Sequence, residues 1–482
     1  MLRQQLLLFY SSFVWFFYLE ITAEEEINVK NMMNTREIIL DILLELAKTD
    51  SYVNLLLADV LDKYDYLLPK EKAFIKRVTE GTMERRIQID YILNQISKVP
   101  TEKMKPLIRE LLRMSVYQIM FMDAIPDEAV CNEAVRLAKK RKFGSLQGYV
   151  NGVLRNVSRQ KQTVSYPDKT KEPARYFSVM YSMPQWLVEH FLLCYDKETV
   201  EKMLDAFLEQ MPVTIRLEEN MTEKEQEELL AAWEKKGIVI RNHPWLSYAL
   251  QIEKADGIRH LPGYEEGLFT VQDVSSMLVV EAADIQKGQT VIDVCAAPGG
   301  KSLHAASKLE KTGKVLSFDI TEKKLARMEE NRTRMRKENM ETAIADARHY
   351  QENLHCLADV VLADVPCSGL GVIGKKPDIK YHVSKQSLEE ILSLQKEILQ
   401  NAVNYVKPGG ILMYSTCTVN PEENEKTVEW LCHTFSLMLE DMSAYLPDDL
   451  KETGKSGMIQ LLPGIHETDG FFFAKLRKAA KG

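Results

Sequence analysis

From about Leu268 to its end, the chain alternates short apolar, β-branched runs with helical ones. Strand candidates are Thr290–Val294, Lys314–Phe318, Glu341–Ile344, Asp359–Ala363, Gly410–Ser415 and Phe471–Leu476; helical runs such as Glu322–Arg336 and Lys385–Val406 fall between them. Parallel neighbours need a long crossover, usually a helix, so this alternation predicts a doubly wound, mostly parallel α/β sheet. Folds of this kind bind ligands beyond the carboxyl ends of their strands, and chemistry-bearing residues are therefore sought there.

The rest of the chain reads differently. From Met33 to Lys161 the pattern is helical: Ile38, Ile39, Ile42, Leu43 and Leu46 recur at three- and four-residue spacing, as do Leu107, Leu111, Leu112 and Val116. Asn34 or Thr35 is placed to cap the first of these helices. Residues 162–174 are polar, carry Pro167 and Pro173, and read as a linker. Residues 175–265 mix helical stretches with strand-like runs at Val213–Leu217, Ile238–Ile240 and Tyr248–Ile252, which predicts a small α+β domain. Residues 266–482 form the α/β domain. The first 32 residues stand apart: fourteen mostly apolar residues, Leu6–Leu19, precede Glu24, Glu25 and Glu26. The run is short for a membrane span and its cleavage site for a signal peptide is poor. The readings are an extension from an upstream start codon, a membrane or interaction helix, or a signal; the first is preferred, with a second start at Met32 or Met33.

Composition adds limits. The 482 residues are 45% hydrophobic and 27% charged, an ordinary globular mixture, with a net charge of −8 that advertises no global affinity for nucleic acid. Residues 33–161 nevertheless hold 22 Lys and Arg against 17 Asp and Glu. Seven scattered cysteines form no disulfide framework and point to reduced thiols in a cytoplasmic setting.

The strongest local signal is Val291-Ile292-Asp293-Val294-Cys295-Ala296-Ala297-Pro298-Gly299-Gly300-Lys301-Ser302, a strand entering a small-residue turn and then a helix. Such a turn lets a ligand approach the backbone and the free N–H groups of the helix start. It is neither a Walker A loop, since Cys295 stands where the first glycine belongs, nor G-x-G-x-x-G. The next strand ends at Asp319, twenty residues after Gly299, where nucleotide-binding α/β folds place the acid that accepts ribose hydroxyls. Asp346 and Asp364 close the third and fourth strands. Together these spacings favour an adenosine-containing cofactor. Two cysteines, Cys367 in Asp364-Val365-Pro366-Cys367-Ser368-Gly369 and Cys417 in Tyr414-Ser415-Thr416-Cys417-Thr418, also fall at strand ends. Neither has a CxxC or nearby histidine partner, so no metal site is expected. Cys131, Cys194, Cys356 and Cys432 read as ordinary buried thiols.

These motifs, with Ser-Thr-Cys-Thr-Val-Asn-Pro-Glu-Glu-Asn, Phe269–Ser276 and Asp469-Gly470-Phe471-Phe472, resemble the RNA (cytosine-5)-methyltransferases that use S-adenosylmethionine. Asn132-Glu133-Ala134-Val135 and Tyr149–Arg155 resemble the NusB RNA-binding domain. The combination is similar to the RsmB (Sun/Fmu) family, which methylates a cytosine of 16S ribosomal RNA. Pro212–Arg216 matches the opening strand of that family's small RNA-binding domain, with Leu217-Glu218 where Val-Asn is usual. The resemblance implies a NusB-like helical domain, a small α+β domain and a Rossmann-like methyltransferase domain. It implies Cys417 as nucleophile, Cys367 assisting product release, and Asp364 holding the base near N3. It also implies a cofactor site of Cys295, Ala296, Ala297, Pro298, Gly299, Gly300, Lys301, Asp319, Asp346 and Asp364. The expected partner is 16S rRNA, bound by a monomer without DNA or membrane. Lys139–Lys142 and Lys375–Lys380 are candidate RNA contacts. The alternatives are a NusB-like RNA-binding or assembly factor without turnover, and a DNA cytosine methyltransferase using the Cys of the Pro-Cys pair.

Overall fold

The computed structural model describes residues 34–49, 51–209, 211–253 and 257–480. The expectations for the first 32 residues lie outside these. The described residues divide into two compact units: those up to 82 with 92–164, and 83–91 with those from 165 onward.

The first unit is helical. Asn34 caps the helix Thr35–Leu46 by accepting from the Arg36 N–H. That helix buries Ile38, Ile39, Ile42 and Leu43, and the helix Pro106–Phe121 buries Leu111, Leu112 and Val116, the positions marked by the sequence period. The basic run 139–142 is not a free patch. Lys140 donates to Glu37 at 2.6 Å, and Arg141 reaches Glu37 at 3.1 Å and Asp41 at 2.6 Å. Lys139 and Lys142 remain exposed.

The second unit contains two sheets. In the smaller, β1 (Val213–Leu217), β2 (Val239–Asn242), β3 (Ala249–Glu253) and β4 (Phe269–Val271) run in the antiparallel order β2-β3-β1-β4. Its fourth strand comes from beyond residue 265, where the small domain was expected to end. Phe269 is an inward residue of this sheet, meeting Trp233 edge-on with ring centroids 5.0 Å apart.

The larger sheet comprises β5 (Thr290–Asp293), β6 (Lys314–Asp319), β7 (Met340–Ile344), β8 (Ala358–Asp364), β9 (Val406–Thr416), β10 (Leu437–Leu439), β11 (Met458–Leu461) and β12 (Phe471–Lys478). The order is β10-β12-β9-β8-β5-β6-β7, with β11 paired to β12. Strands β5 to β9 are parallel; β12 enters antiparallel beside β9. The chain leaves β5 towards β6 and β7 on one side and returns to β8 and β9 on the other, so a crevice opens beyond the carboxyl ends of β5 and β8. The strands are apolar on both faces because helices cover both. Ile292, Val361 and Leu412 belong to one packed layer; Val291, Val360 and Met413 belong to the other.

The helices Gln185–Cys194 and Lys197–Ala206 were expected within the small α+β domain, and a further helix, Pro173–Met180, begins in what read as the linker. They pack instead on Leu370, Ile373, Ile379, Leu388 and Val419, residues that follow the two cysteine motifs. Helical periodicity fixes which face is apolar but not which partner covers it. Tyr195 donates to the Val419 carbonyl at 2.8 Å, tying one of these helices to the loop after Cys417.

Between the two sheets runs a seam of paired charges. Arg216, fully buried, donates to Gln272 at 2.9 Å and lies 3.4 Å from Glu218. Glu218 also accepts from Lys337 at 2.5 Å. Lys308 bridges Glu219 and Glu281 at 3.1 and 2.7 Å, beside the buried ring of His304. Burial works against the Glu281 charge, but bonds from His304, Lys308 and Tyr248 prevail and hold its carboxyl down at about 2.

Candidate active site

The crevice is a cavity of about 530 Å³, within the roughly 300–1,000 Å³ typical of small-molecule sites. Asp319 and Asp346 lie at one end and Cys367 and Cys417 at the other, with Cys295, Ala297 and Asp364 between. A smaller cavity of about 210 Å³ adjoins it, sharing Cys295, Ala297 and Asp364 and adding Ala296, Pro298, Gly300, Lys301 and Asp293. Gly299, at φ 104°, caps the helix Gly300–Lys308 in a conformation that favours glycine.

Asp319 accepts the Ala297 N–H at 3.0 Å with one oxygen and the Ile320 N–H and Lys324 with the other, so it braces the turn while lining the cavity, with acceptor capacity to spare. Asp346 is more committed. Bonds from Arg348, chiefly the side chain's, hold its carboxyl down at about 2. Lys301 is buried rather than solvated, donating to Asp364 at 2.8 Å and Ser276 at 3.1 Å. The other Asp364 oxygen accepts from Ser415 at 2.8 Å. Burial raises the Cys295 thiol well above its ordinary range, which suits a wall rather than a nucleophile.

The two cysteines meet. Their Sγ atoms are 3.0 Å apart, and the Cys417 N–H donates to the Cys367 sulfur at 3.2 Å. The thiol–thiol hydrogen bond lowers the pKa of Cys417, and Lys376 and Lys301 act in the same direction. The same bond, with burial, raises that of Cys367. Of the two, Cys417 is the thiol favoured to ionise, although burial and Asp364 oppose its charge. Beyond them, the Gly371 N–H donates to the Cys417 carbonyl at 3.0 Å and the Gly470 N–H to the Gly371 carbonyl at 2.9 Å. The backbones pass so closely that a side chain on Gly371 would strike Gly470.

The basic run 375–380 is a correction to the expected RNA patch. Lys375 is clamped between Asp273 and Asp469. Lys380 is buried, donates to the Glu84 carbonyl at 2.8 Å, and burial pushes its ammonium down to about 7. Two residues escaped the sequence reading. Asp293, fully buried, accepts from Ser302 at 2.7 Å, and burial raises its carboxyl to about 7. Glu423, also buried, sits in the Pro-Glu-Glu-Asn stretch, where a glutamate gives no sign that it faces inward.

A doubly wound sheet with a carboxylate-lined crevice at its switch point defines a Rossmann-like fold built to bind a nucleotide-like ligand, and the family match makes it a methyltransferase. Residues 280–477 match the family described as 16S rRNA methyltransferase RsmB/F, residues 33–159 the NusB family, and residues 183–259 the ferredoxin-like domain of RsmF/B-like methyltransferases. The chain belongs to the RsmB/F family of rRNA methyltransferases. It is 34% identical over 92% of its length to a probable ribosomal RNA small subunit methyltransferase B of Bacillus subtilis, 99% of which is covered. It is 32% identical to ribosomal RNA small subunit methyltransferase B of Cronobacter sakazakii, over 85% of this chain and 91% of that one. Among solved structures, a methyltransferase homolog protein from Pyrococcus horikoshii is 26% identical with a TM-score of 0.52, covering 63% of this chain and 97% of its own.

Proposed function

We propose that the protein transfers a methyl group from S-adenosylmethionine to C5 of a cytosine in 16S rRNA, through a covalent bond between Cys417 and C6 of the base. The observation that carries this reading is the pair of thiols, 3.0 Å apart and both lining the crevice beside Asp364. Cytosine C5 is too weak a nucleophile to take a methyl group unaided. Addition of the Cys417 thiolate to C6 breaks the C5–C6 π bond and makes C5 electron-rich. Asp364, beside the thiols, holds the base near N3, where charge develops. Bound S-adenosylmethionine supplies the electrophilic methyl group. After transfer, the C5 proton leaves to a base, the C5=C6 bond re-forms and the Cys417 thiolate is expelled, with Cys367 assisting its departure.

The cavity suits the cofactor. Asp319 keeps a lone pair for ribose hydroxyls, and Ile320, Ala345, Ala347, Leu394 and Ile398 give apolar walls for a purine. Asp346 would meet the adenine side. Cys295 to Lys301 would line the remainder, Lys301 acting chiefly by orienting Asp364. The target cytosine must leave its stack to reach Cys417. We place the protein in the cytoplasm as a monomer acting on rRNA and not DNA; no helix among the described residues is long and apolar enough to cross a membrane. Incubation with labelled S-adenosylmethionine and 16S rRNA, followed by nucleoside analysis, tests the reading. Label in 5-methylcytidine is expected; label in another nucleoside, or none, overturns it.

A further inference from the structure

The loops that carry the two cysteines are fastened to Glu423 and its neighbour Asn424. Glu423 is fully buried and accepts four hydrogen bonds: from the Ser368 N–H at 2.9 Å, the Ser368 hydroxyl at 2.6 Å, Asn420 at 3.0 Å and Gln395 at 3.1 Å. Gln395 also donates to the carbonyl of Pro366, so the residues before and after Cys367 both lead to Glu423. On the other loop, the Ser368 and Thr418 hydroxyls lie 2.7 Å apart. Because Ser368 spends its proton on Glu423, Thr418 must donate to Ser368. Tyr414 donates to the Glu423 carbonyl, and Asn424 accepts from Thr416 and donates to the Thr418 carbonyl. Positions 366, 368, 416 and 418 are thus pinned, while the two sulfurs are left to meet each other.

Four donors satisfy the oxygens of this buried carboxylate where it sits, and losing any of them would leave a buried polar group unpaired. Its charge also acts on the nearer thiol, opposing ionisation of Cys367. We propose that Glu423 is a positioning residue: it holds the two cysteine loops in register and sets its carboxylate on the Cys367 side of the pair, so that the two thiols are not interchangeable. This rests on the cysteine roles proposed above and adds a residue that touches neither base nor cofactor.

The test is Glu423→Gln, which keeps the volume but removes the charge and offers an N–H₂ to donors that cannot accept it. Turnover is expected to fall about 100-fold, the scale set by a small misplacement of reacting groups. Affinity for S-adenosylhomocysteine should stay within about twofold. The basic limb of the pH–turnover profile should move to lower pH, because the Cys367 thiol loses the anion that opposes its ionisation. A purely structural role would lower the profile without moving the limb. Turnover within about twofold of the unmodified protein, or an unmoved limb, overturns the proposal. Should the variant not fold, Ser368→Ala removes two bonds, one to Glu423 and one from Thr418, and keeps the charge. It should slow turnover about tenfold with the limb in place, and full activity there overturns the register. Failure of the functional reading is separable. If the unmodified protein makes no 5-methylcytidine, the pH dependence of iodoacetamide alkylation at Cys367, measured in Cys417→Ser with and without Glu423→Gln, decides. A downward shift supports the proposal; no shift overturns it.

Discussion

The crevice and the seam between the sheets both bury charge, and they do it in opposite ways. At the seam each charge closes on a counter-charge: Arg216 on Glu218, Glu218 on Lys337, Lys308 on Glu219 and Glu281. In the crevice Asp364 pairs with Lys301 and Ser415 and stays 34% exposed, Asp319 lines the cavity, and Asp293 meets the Ser302 hydroxyl rather than a counter-charge, with burial raising its carboxyl to about 7. The seam spends its electrostatics on holding two sheets in one arrangement. The crevice leaves part of its own unspent for a ligand. Substitutions at the seam should therefore change stability and leave chemistry alone, and those in the crevice should do the reverse.

The largest effect is expected at the thiols. Cys417→Ala should abolish turnover and bind RNA only non-covalently, with its melting temperature unchanged. Cys367→Ala should accumulate a protein–RNA complex that survives denaturing electrophoresis, and adding Cys417→Ala should remove it. The reverse pattern would exchange the roles of the two cysteines.

At the seam, Glu218→Leu leaves the Arg216 guanidinium buried without its nearest counter-charge. Stability should fall by about 3–5 kcal/mol in denaturant titration, with kcat of the folded fraction unchanged. A loss of kcat at full stability would erase the distinction between the two regions.

Asp319→Ala is expected to weaken S-adenosylhomocysteine binding by about 1.5–3 kcal/mol, measured by calorimetry, while RNA affinity holds. An unchanged constant would remove Asp319 from the cofactor site.

The subtlest contrast is in pH. Burial lifts Asp293 from 3.8 to about 7, so the folded state keeps a proton that the unfolded state releases; stability contributed here is lost as pH rises between about 4 and 7. Glu281 is depressed from 4.5 to about 2, so its stability is present above 4.5 and lost as pH falls towards 2. Melting temperature against pH should lose the first slope in Asp293→Asn and the second in Glu281→Gln. Slopes that survive these substitutions belong to other groups.

Much of the large sheet was legible because a strand buried on both faces is a continuous apolar run. The run at Thr290–Val294 became Thr290–Asp293, and that at Lys314–Phe318 became Lys314–Asp319. The short strands β10 and β11 were not, since three or four residues carry no period. Val213–Leu217 was read with its present bounds, yet Phe269–Val271 was not read as a strand, and its pairing with Val213–Leu217 is long-range and leaves no local sign. Glu218, noted only as a departure from Val-Asn, proved to be the acid that joins Arg216 to Lys337. In the site, the motif cysteines and Asp364 could be singled out by type and spacing. Lys375 and Lys380 could not be read correctly, because a basic run looks the same whether it faces solvent or meets buried acids.

The close passage of Gly371 against Gly470 has a bearing on when the protein comes of age. The stitch from Cys417 through Gly371 ends at the residue preceding β12, the last described strand in chain order and a central one in space. A chain still being synthesised has made both thiols and the cofactor turn well before it can lay down that strand. Until then β9 is an open edge and the loop after Cys417 lacks its clasp. Catalytic competence should thus arrive abruptly with the final strand. Chains halted before Phe471 should show Cys367 and Cys417 alkylating independently, and paired behaviour in such chains would contradict this.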